Sequence, residues 1–301
     1  MAKMKPSPVL AHLPRCPSLV AKRSLVRSIS YVYGKNDRDP YQSITTQPEE
    51  MTTKLAGVLE MRVADKGQQA LRTKLLAGIS GHVLEVGTGT GAVAREIARL
   101  PGVERVTGVD PSPAFLRKAR EVGGANEHYV EGSSTSLDVS SGSIDHCVLW
   151  TTLCHIPQAD HSATFGEILR TLRPGGTLHI FDNDPSGWDF RMHAHDPLHA
   201  PLNFFLDMGF PDRYLLRRAP LGLADAGFEV GPLRLHTILD TTADSYGYQF
   251  VLLRAIDTFA SFGVVGAPMI AALRDEAARR VTTGEFQMAL SYAHICATKP
   301  W

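Results

Sequence analysis

Short apolar runs alternate with helix-length stretches through the middle of this chain. Residues 82–86, 105–109, 128–131, 144–150 and 177–181 read as strands. Helical periods fill residues 92–100, 113–122 and the stretch through 165–172. Strands interleaved with helices of this length predict right-handed crossovers and a parallel sheet covered on both faces. Upstream, Leu55, Val58, Leu59, Val63, Leu71 and Leu75 recur at helical offsets over residues 48–78, and Pro48-Glu49-Glu50 suits a helix start. After Asp182 the rhythm breaks. Residues 183–213, rich in Pro, His, Asp and aromatics, read as irregular. A helix over 217–226 closes at Gly227, a strand follows over 228–238, and helices follow over 245–261 and 268–282. Residues 286–297 alternate like an antiparallel edge strand. The pattern therefore predicts an α/β domain with a mostly parallel seven-stranded sheet.

Composition narrows the function classes. Lysine plus arginine equals aspartate plus glutamate, 31 of each, so the chain has no basic excess to draw nucleic acid or an anionic membrane. No apolar run approaches the roughly 20 residues of a membrane span. The four cysteines form no C-x-x-C pair, which suits free thiols in a reducing compartment. Charge is uneven only at the start, where residues 1–36 hold seven lysines and arginines, five serines, four prolines and no acid. That composition reads as a basic extension outside the fold, with a mitochondrial or plastid transit peptide as one reading and a plain cytoplasmic tail as the other.

The candidate chemistry begins at H-V-L-E-V-G-T-G-T-G-A-V-A, residues 82–94. A strand that turns sharply into a helix lets backbone N–H groups and the positive helix end face a ligand. Gly87, Gly89 and Ala92 fit the dinucleotide pattern G-x-G-x-x-G/A. Glu85, however, sets a carboxylate at the mouth of the turn, where it repels a pyrophosphate and suits a cationic or amino group. The third glycine, Gly91, also falls one position early. Asp110 lies 19 residues after Gly91, at the end of the second strand, an offset that suits a carboxylate accepting ribose hydroxyls from either cofactor.

Six segments then carry a resemblance: E-V-G-T-G-T-G (85–91), V-D-P-S-P (109–113), E-G-S-S (131–134), S-I-D-H-C-V-L-W (143–150), T-L-C-H-I (152–156) and L-R-P-G-G-T-L (172–178). In order and spacing they resemble class I S-adenosylmethionine-dependent methyltransferases, most closely the small-molecule group of quinone-biosynthesis and secondary-metabolite enzymes. The resemblance implies a Rossmann-like methyltransferase fold with an α-helical cap. It implies one domain over 37–301, a cofactor core at 80–184, and substrate lid or cap segments at 37–78, 185–226 and 244–283. By the same resemblance Glu85, Gly87, Thr88, Gly89 and Gly91 hold the methionine end of S-adenosylmethionine. Asp110 takes the ribose, with Pro111 and Ser112 beside the adenine. Ser133 and Ser134 lie at the adenine edge, and the family usually carries an acidic residue where Ser133 stands. Trp150 and Thr151 lie near the transferred methyl.

On the substrate side, methyl transfer needs alignment of the acceptor and exclusion of water more than acid–base groups. His155 follows the fourth strand at its C-terminal end and is a candidate base. His193, His195 and His199 are further candidates for acceptor contact or proton removal. The H-A-H-D-P-L-H run matches no metal-ligand spacing, so no metal is expected. Tyr31, Tyr33 and Tyr41 are candidates to close over the cofactor. The expected partner is a small, largely hydrophobic methyl acceptor. Two other readings stay open at this point: a protein of the same fold that binds S-adenosylmethionine and catalyses a cyclisation or rearrangement, and an NAD(P)-dependent oxidoreductase.

Overall fold

A computed structural model of the chain describes residues 39–210, 212–263 and 265–301. The basic segment 1–36, with Tyr31 and Tyr33, lies outside the described residues. The chain divides into two compact units, and the larger one comprises residues 40–186, 214–238 and 291–301. It opens with α1 (Glu49–Ala64) and α2 (Lys66–Leu75). The sequence periodicity over 48–78 reads as one helical stretch. It breaks because the Asp65 side chain accepts from the Gln68 N–H at 2.9 Å and caps a second helix.

The strands are β1 (Gly81–Val86), β2 (Val103–Asp110), β3 (Glu127–Glu131), β4 (Ile144–Trp150), β5 (Leu172–Asn183), β6 (Glu229–Val230), β7 (Arg234–Asp240) and β8 (Met288–Thr298). They form one sheet of eight strands in the order β3-β2-β1-β4-β5-β8-β6, with β7 also paired to β8. The five strands β1 to β5 run parallel, and β8 lies antiparallel to both β5 and β6. The sequence pattern predicts seven strands; the eighth arises because the stretch 228–238 is interrupted. Gly231 N–H donates to the Cys296 carbonyl at 2.9 Å, and Pro232, which has no N–H, cannot continue the ladder. Arg173–Gly176, which reads as a tight turn, is instead carried within β5, where the register to β4 shifts.

Helices α3 (Ala92–Ile97), α4 (Pro113–Val122) and α5 (His161–Thr171) follow β1, β2 and β4. Helix α6 (His199–Gly209) belongs to the other unit, and α7 (Leu215–Asp225) returns to this one. Strand alternation sorts the sheet into two unlike faces. One carries the aliphatic core: Leu84, Leu149, Ile180 and Ile295 pack with Phe165 of α5 and Leu223 of α7.

The other face carries a file of histidines. The rings of His146 and His179 lie 6.3 Å apart, those of His179 and His294 5.7 Å, and those of His294 and His236 6.3 Å. Burial pushes His179 down to about 3, helped by His294 and His146, and His294 down to about 4, helped by His236 and Arg234. Both rings are therefore neutral in the folded state at pH values where the unfolded chain, near 6.5, already takes up protons. Their stabilisation is full above pH 6.5 and is lost as pH falls toward 4 and then 3. The unfolding free energy from urea titrations is expected to drop between pH 6.5 and 4 by about 1.4 kcal/mol per pH unit for each such ring. His294→Phe is expected to shallow that slope; an unchanged slope would mean that the ring is not kept neutral by burial.

The second unit comprises, among the described residues, 187–213 and 239–290. Besides α6 it holds a π-helical turn (Gly247–Leu252), α8 (Leu253–Ser261) and α9 (Ala267–Thr282). Phe204 meets Phe259 and Phe262 edge-on at 5.5 and 5.1 Å, and a buried ion pair joins Arg280 to Asp196 at 2.7 and 2.9 Å. The expected irregular stretch 183–213 thus contains α6, whose Leu202, Phe205 and Leu206 face inward.

Candidate functional site

At the C-terminal end of β1 the chain doubles back. Gly87, Gly89 and Gly91 have φ of +74°, +55° and +73°. A side chain at Gly87 would run into Thr152, and one at Gly91 into the Tyr129 hydroxyl, so the turn is both left-handed and closely packed. Val109 O accepts from Gly87 N and Thr88 N at 2.8 and 3.0 Å, which fixes the turn to β2. α3 then opens at Gly91 with its N-terminal N–H groups toward the turn.

Asp110 ends β2 and is 6% exposed. Its carboxylate accepts from Gly89 N at 2.8 Å on one oxygen and from Ser112 N at 2.9 Å on the other. Burial raises its pKa to about 6, against the pull of those two N–H groups. Glu85 stands behind the turn, 2% exposed, and accepts from the Thr88 hydroxyl at 2.6 Å. Burial raises Glu85 to about 8; the Thr88 bond opposes this, Asp110 adds to it, and Ala94 N–H and Arg72 oppose it.

A cavity of about 290 Å³ opens in front of the turn. Its walls include Gly87, Gly89, Asp110 and Pro111, then Ser133 and Ser134 after β3, and Trp150 and Thr151 after β4. Trp150 stacks on Phe181 at 4.1 Å, which stacks on Tyr292 at 5.1 Å, with the Arg72 guanidinium 5.9 Å from the indole centre. The indole N–H of Trp150 is buried without a partner among the described residues. Thr151 has φ of +53°, the one non-glycine residue in that region among the described residues. A β-branched residue rarely adopts it, and such strain is characteristic of ligand-facing turns.

Of the residues named from sequence, Gly87, Gly89, Asp110, Pro111, Ser133, Ser134, Trp150 and Thr151 line the cavity, whereas Glu85, Thr88, Gly91 and Ser112 are buried around the two turns and do not line it. His155 also lines it, at the end of a short 3-10 turn (Leu153–His155), with its ring 4.5 Å from that of Tyr41. His193 and His195 lie in the second unit, exposed, on the stretch before α6, and are not among the lining residues. The lining residues that sequence reading passed over include Arg62, Thr152 and Asp160. Arg62 was recoverable, because it sits one helical turn after Leu59 on α1, and Leu59 packs over Gly89. Among the described residues no group of three or more His, Cys, Asp or Glu is placed to hold a metal ion, and no helix is long and apolar enough to cross a membrane.

This strand order, with a glycine turn after β1 and a carboxylate closing β2, defines a class I methyltransferase fold. Residues 83–176 match the family model described as methyltransferase domain. The chain is 31% identical over 165 residues to the sterol 24-C-methyltransferase of Eremothecium gossypii, a match covering 51% of this chain and 42% of that one. It is 41% identical over 96 residues to an uncharacterized methyltransferase of Mycobacterium sp. strain KMS, covering 31% of this chain and 35% of that one. It therefore spans less than half the length of the curated relatives it matches. Among solved structures, the methyltransferase in the Haloferax volcanii complex with the Trm112 activator superposes with a TM-score of 0.50 at 18% identity, over 84% of this chain and 97% of that one.

Proposed function

We propose that this protein transfers a methyl group from S-adenosylmethionine to an oxygen, nitrogen or carbon of a small, largely hydrophobic metabolite. The observation that carries this reading is the bond from Gly89 N–H to Asp110, which locks the glycine turn to the carboxylate at the next strand's end and leaves both facing one cavity. The residues suit such a cofactor. Glu85 is a carboxyl that burial holds up to about 8, and only a cationic neighbour would draw its proton off at neutral pH.

Asp110 has lone pairs beyond its two N–H partners with which to accept ribose hydroxyls. Pro111 and Ser112 flank the adenine, and Ser133 and Ser134 its edge. The N–H groups of Gly87, Thr88, Gly89 and Gly91 are spent on Val109 O, Asp110 and Thr88 O, so the glycines serve the methionine end by letting it approach a bare backbone, and Glu85 offers charge. Arg62, buried in the cavity wall, matches the cofactor's one carboxylate. Held there, the cofactor would supply an electrophilic methyl group on a sulfonium, the acceptor bonding to the methyl carbon as neutral S-adenosylhomocysteine leaves. Trp150 and the strained Thr151 shape the wall near that methyl and exclude water. His155, in the same cavity wall, would take a proton where the acceptor must lose one.

Ile44, Leu59 and Phe115 make part of the wall apolar, which favours a hydrophobic acceptor. The sterol methyltransferase relative, named for a polycyclic hydrocarbon-rich substrate, supports the same class. Calorimetry with S-adenosylhomocysteine and with NADH tests the cofactor. Heat from the first alone is expected, and NADH binding with no response to S-adenosylhomocysteine would overturn the reading. Incubation with methyl-labelled cofactor and a lipid extract is expected to move label into an organic-soluble product. Cofactor binding with no labelled product from any extract would favour the non-methylating reading.

A further inference from the structure

An adenine base brings a hydrogen-bond donor, its exocyclic amino group, that must meet an acceptor or forfeit its hydration. The lining side chains of the segment after β3 are hydroxyls, each already bonded to a neighbour. Ser133 Oγ lies 2.9 Å from Thr135 Oγ1 and accepts from Thr135 N at 3.2 Å. Ser134 Oγ lies 2.9 Å from Thr164 Oγ1. That last bond ties the segment to α5, and one helical turn before Thr164 stands Asp160.

Asp160 lines the same cavity as Ser133 and Ser134 and is half-buried. It closes a short turn (Gln158–Asp160) that follows Pro157, and its N–H donates to the Pro157 carbonyl at 2.8 Å. Among the described residues its carboxylate makes no hydrogen bond or ion pair. The cavity's other carboxylate, Asp110, holds Gly89 N and Ser112 N and, in the reading above, spends its remaining lone pairs on the ribose hydroxyls. The wall beside the base thus holds one acceptor-only group free to meet a donor.

We propose that Asp160 accepts from the adenine amino group and makes this site selective for adenosyl over 6-oxo (inosyl) ligands. The assignment rests on the S-adenosylmethionine reading above. A carboxylate facing an amino group makes a charge-assisted bond; facing a 6-oxo group it opposes lone pairs to lone pairs. The carboxylate reaches the base from α5, across the cavity wall from the position where Ser133 offers only a hydroxyl.

The test is calorimetry on the full chain with S-adenosylhomocysteine and S-inosylhomocysteine. The wild type is expected to prefer the adenosyl ligand by about ten- to hundredfold, the range of one charge-assisted hydrogen bond. Asp160→Ala is expected to bring the two ligands close to parity by weakening the adenosyl one alone. Asp160→Asn, which keeps one acceptor oxygen and the side chain's shape, is expected to fall between. Adding Ser133→Asp to Asp160→Ala, which returns a carboxylate to the adenine edge from the other side, is expected to restore the preference. A merely structural Asp160 would weaken both ligands alike, and that result would overturn the assignment. So would a wild type without preference, or a preference that survives in Asp160→Ala. A wild type that binds no S-adenosylhomocysteine would bring down the cofactor reading itself, and this assignment with it.

Discussion

Asp110→Ala is expected to weaken S-adenosylhomocysteine binding by at least about a hundredfold, since it removes acceptors from two buried N–H groups as well as from the ligand. Gly89 N and Ser112 N both end on this carboxylate, the first across the turn and the second at the start of α4. Each buried donor left without a partner costs about 1–3 kcal/mol, and lost ribose contacts add to this in the complex alone. Part of the penalty therefore appears without ligand, as a lower melting temperature, and the rest only in affinity. Comparing the fall in melting temperature of free and ligand-saturated protein separates the two. A variant that melts lower yet binds within a few-fold of the wild type would reduce Asp110 to a brace for the turn.

Much of this arrangement was legible in the sequence because it depends on local periodicity and local backbone constraint. Strands buried on both faces read as apolar runs, and a helix opening after three glycines reads as a ligand turn whatever the ligand. Asp110 was found because the end of β2 is a fixed distance along the chain from the turn it faces. What could not be read is what depends on two segments meeting. Asp160 carries no local signature; it matters because Ser134 and Thr164, thirty residues apart, bond to each other. The strain at Thr151 is likewise invisible, since nothing in T-T-L-C-H reserves a left-handed position for a threonine. The break in the stretch 228–238 was legible in principle, because Pro232 stands in it, yet its alternation outweighed that signal.

The unlike faces of the sheet were also hidden. The strands alternate, but β4, β5 and β8 place His146, His179 and His294 on the side opposite the aliphatic cluster, and only the registers show that these rings form one file. The same face carries Glu85 and Trp150 closer to the cavity. It is therefore a mixed face, where Glu85 and the histidines alternate with Val83, Val148 and Phe181 and are held by buried hydrogen bonds and ring stacking, while the opposite face supplies the aliphatic core. A sheet built this way has its electrostatic sensitivity concentrated on the side that carries the site.

Glu85 makes that sensitivity measurable. In the free protein its pKa is held near 8 by burial, so at pH 7 the group is mostly protonated. A ligand that brings an ammonium and a sulfonium favours the carboxylate, so the proton leaves on binding. Above about pH 8 the proton is already gone and affinity is flat. Below it, S-adenosylmethionine affinity is expected to fall with pH by up to about tenfold per unit. A further decline sets in below about 6, where Asp110 begins to hold a proton of its own. Glu85→Gln keeps an acceptor for the Thr88 hydroxyl but cannot ionise, and is expected to bind more weakly at pH 8 and with little pH dependence from 8 down to 6.5. Stability moves the other way. A carboxyl raised above its unfolded value near 4.5 stabilises the fold below that pH, and the contribution is lost as pH rises through 8. Free Glu85→Gln should therefore melt higher than the free wild type in alkaline buffer, even though it binds cofactor less well. Calorimetry in two buffers of different ionisation enthalpy counts the released proton directly. A wild type whose affinity is flat from pH 6.5 to 8, or a Glu85→Gln with the same slope, would take Glu85 out of the cofactor's charge environment.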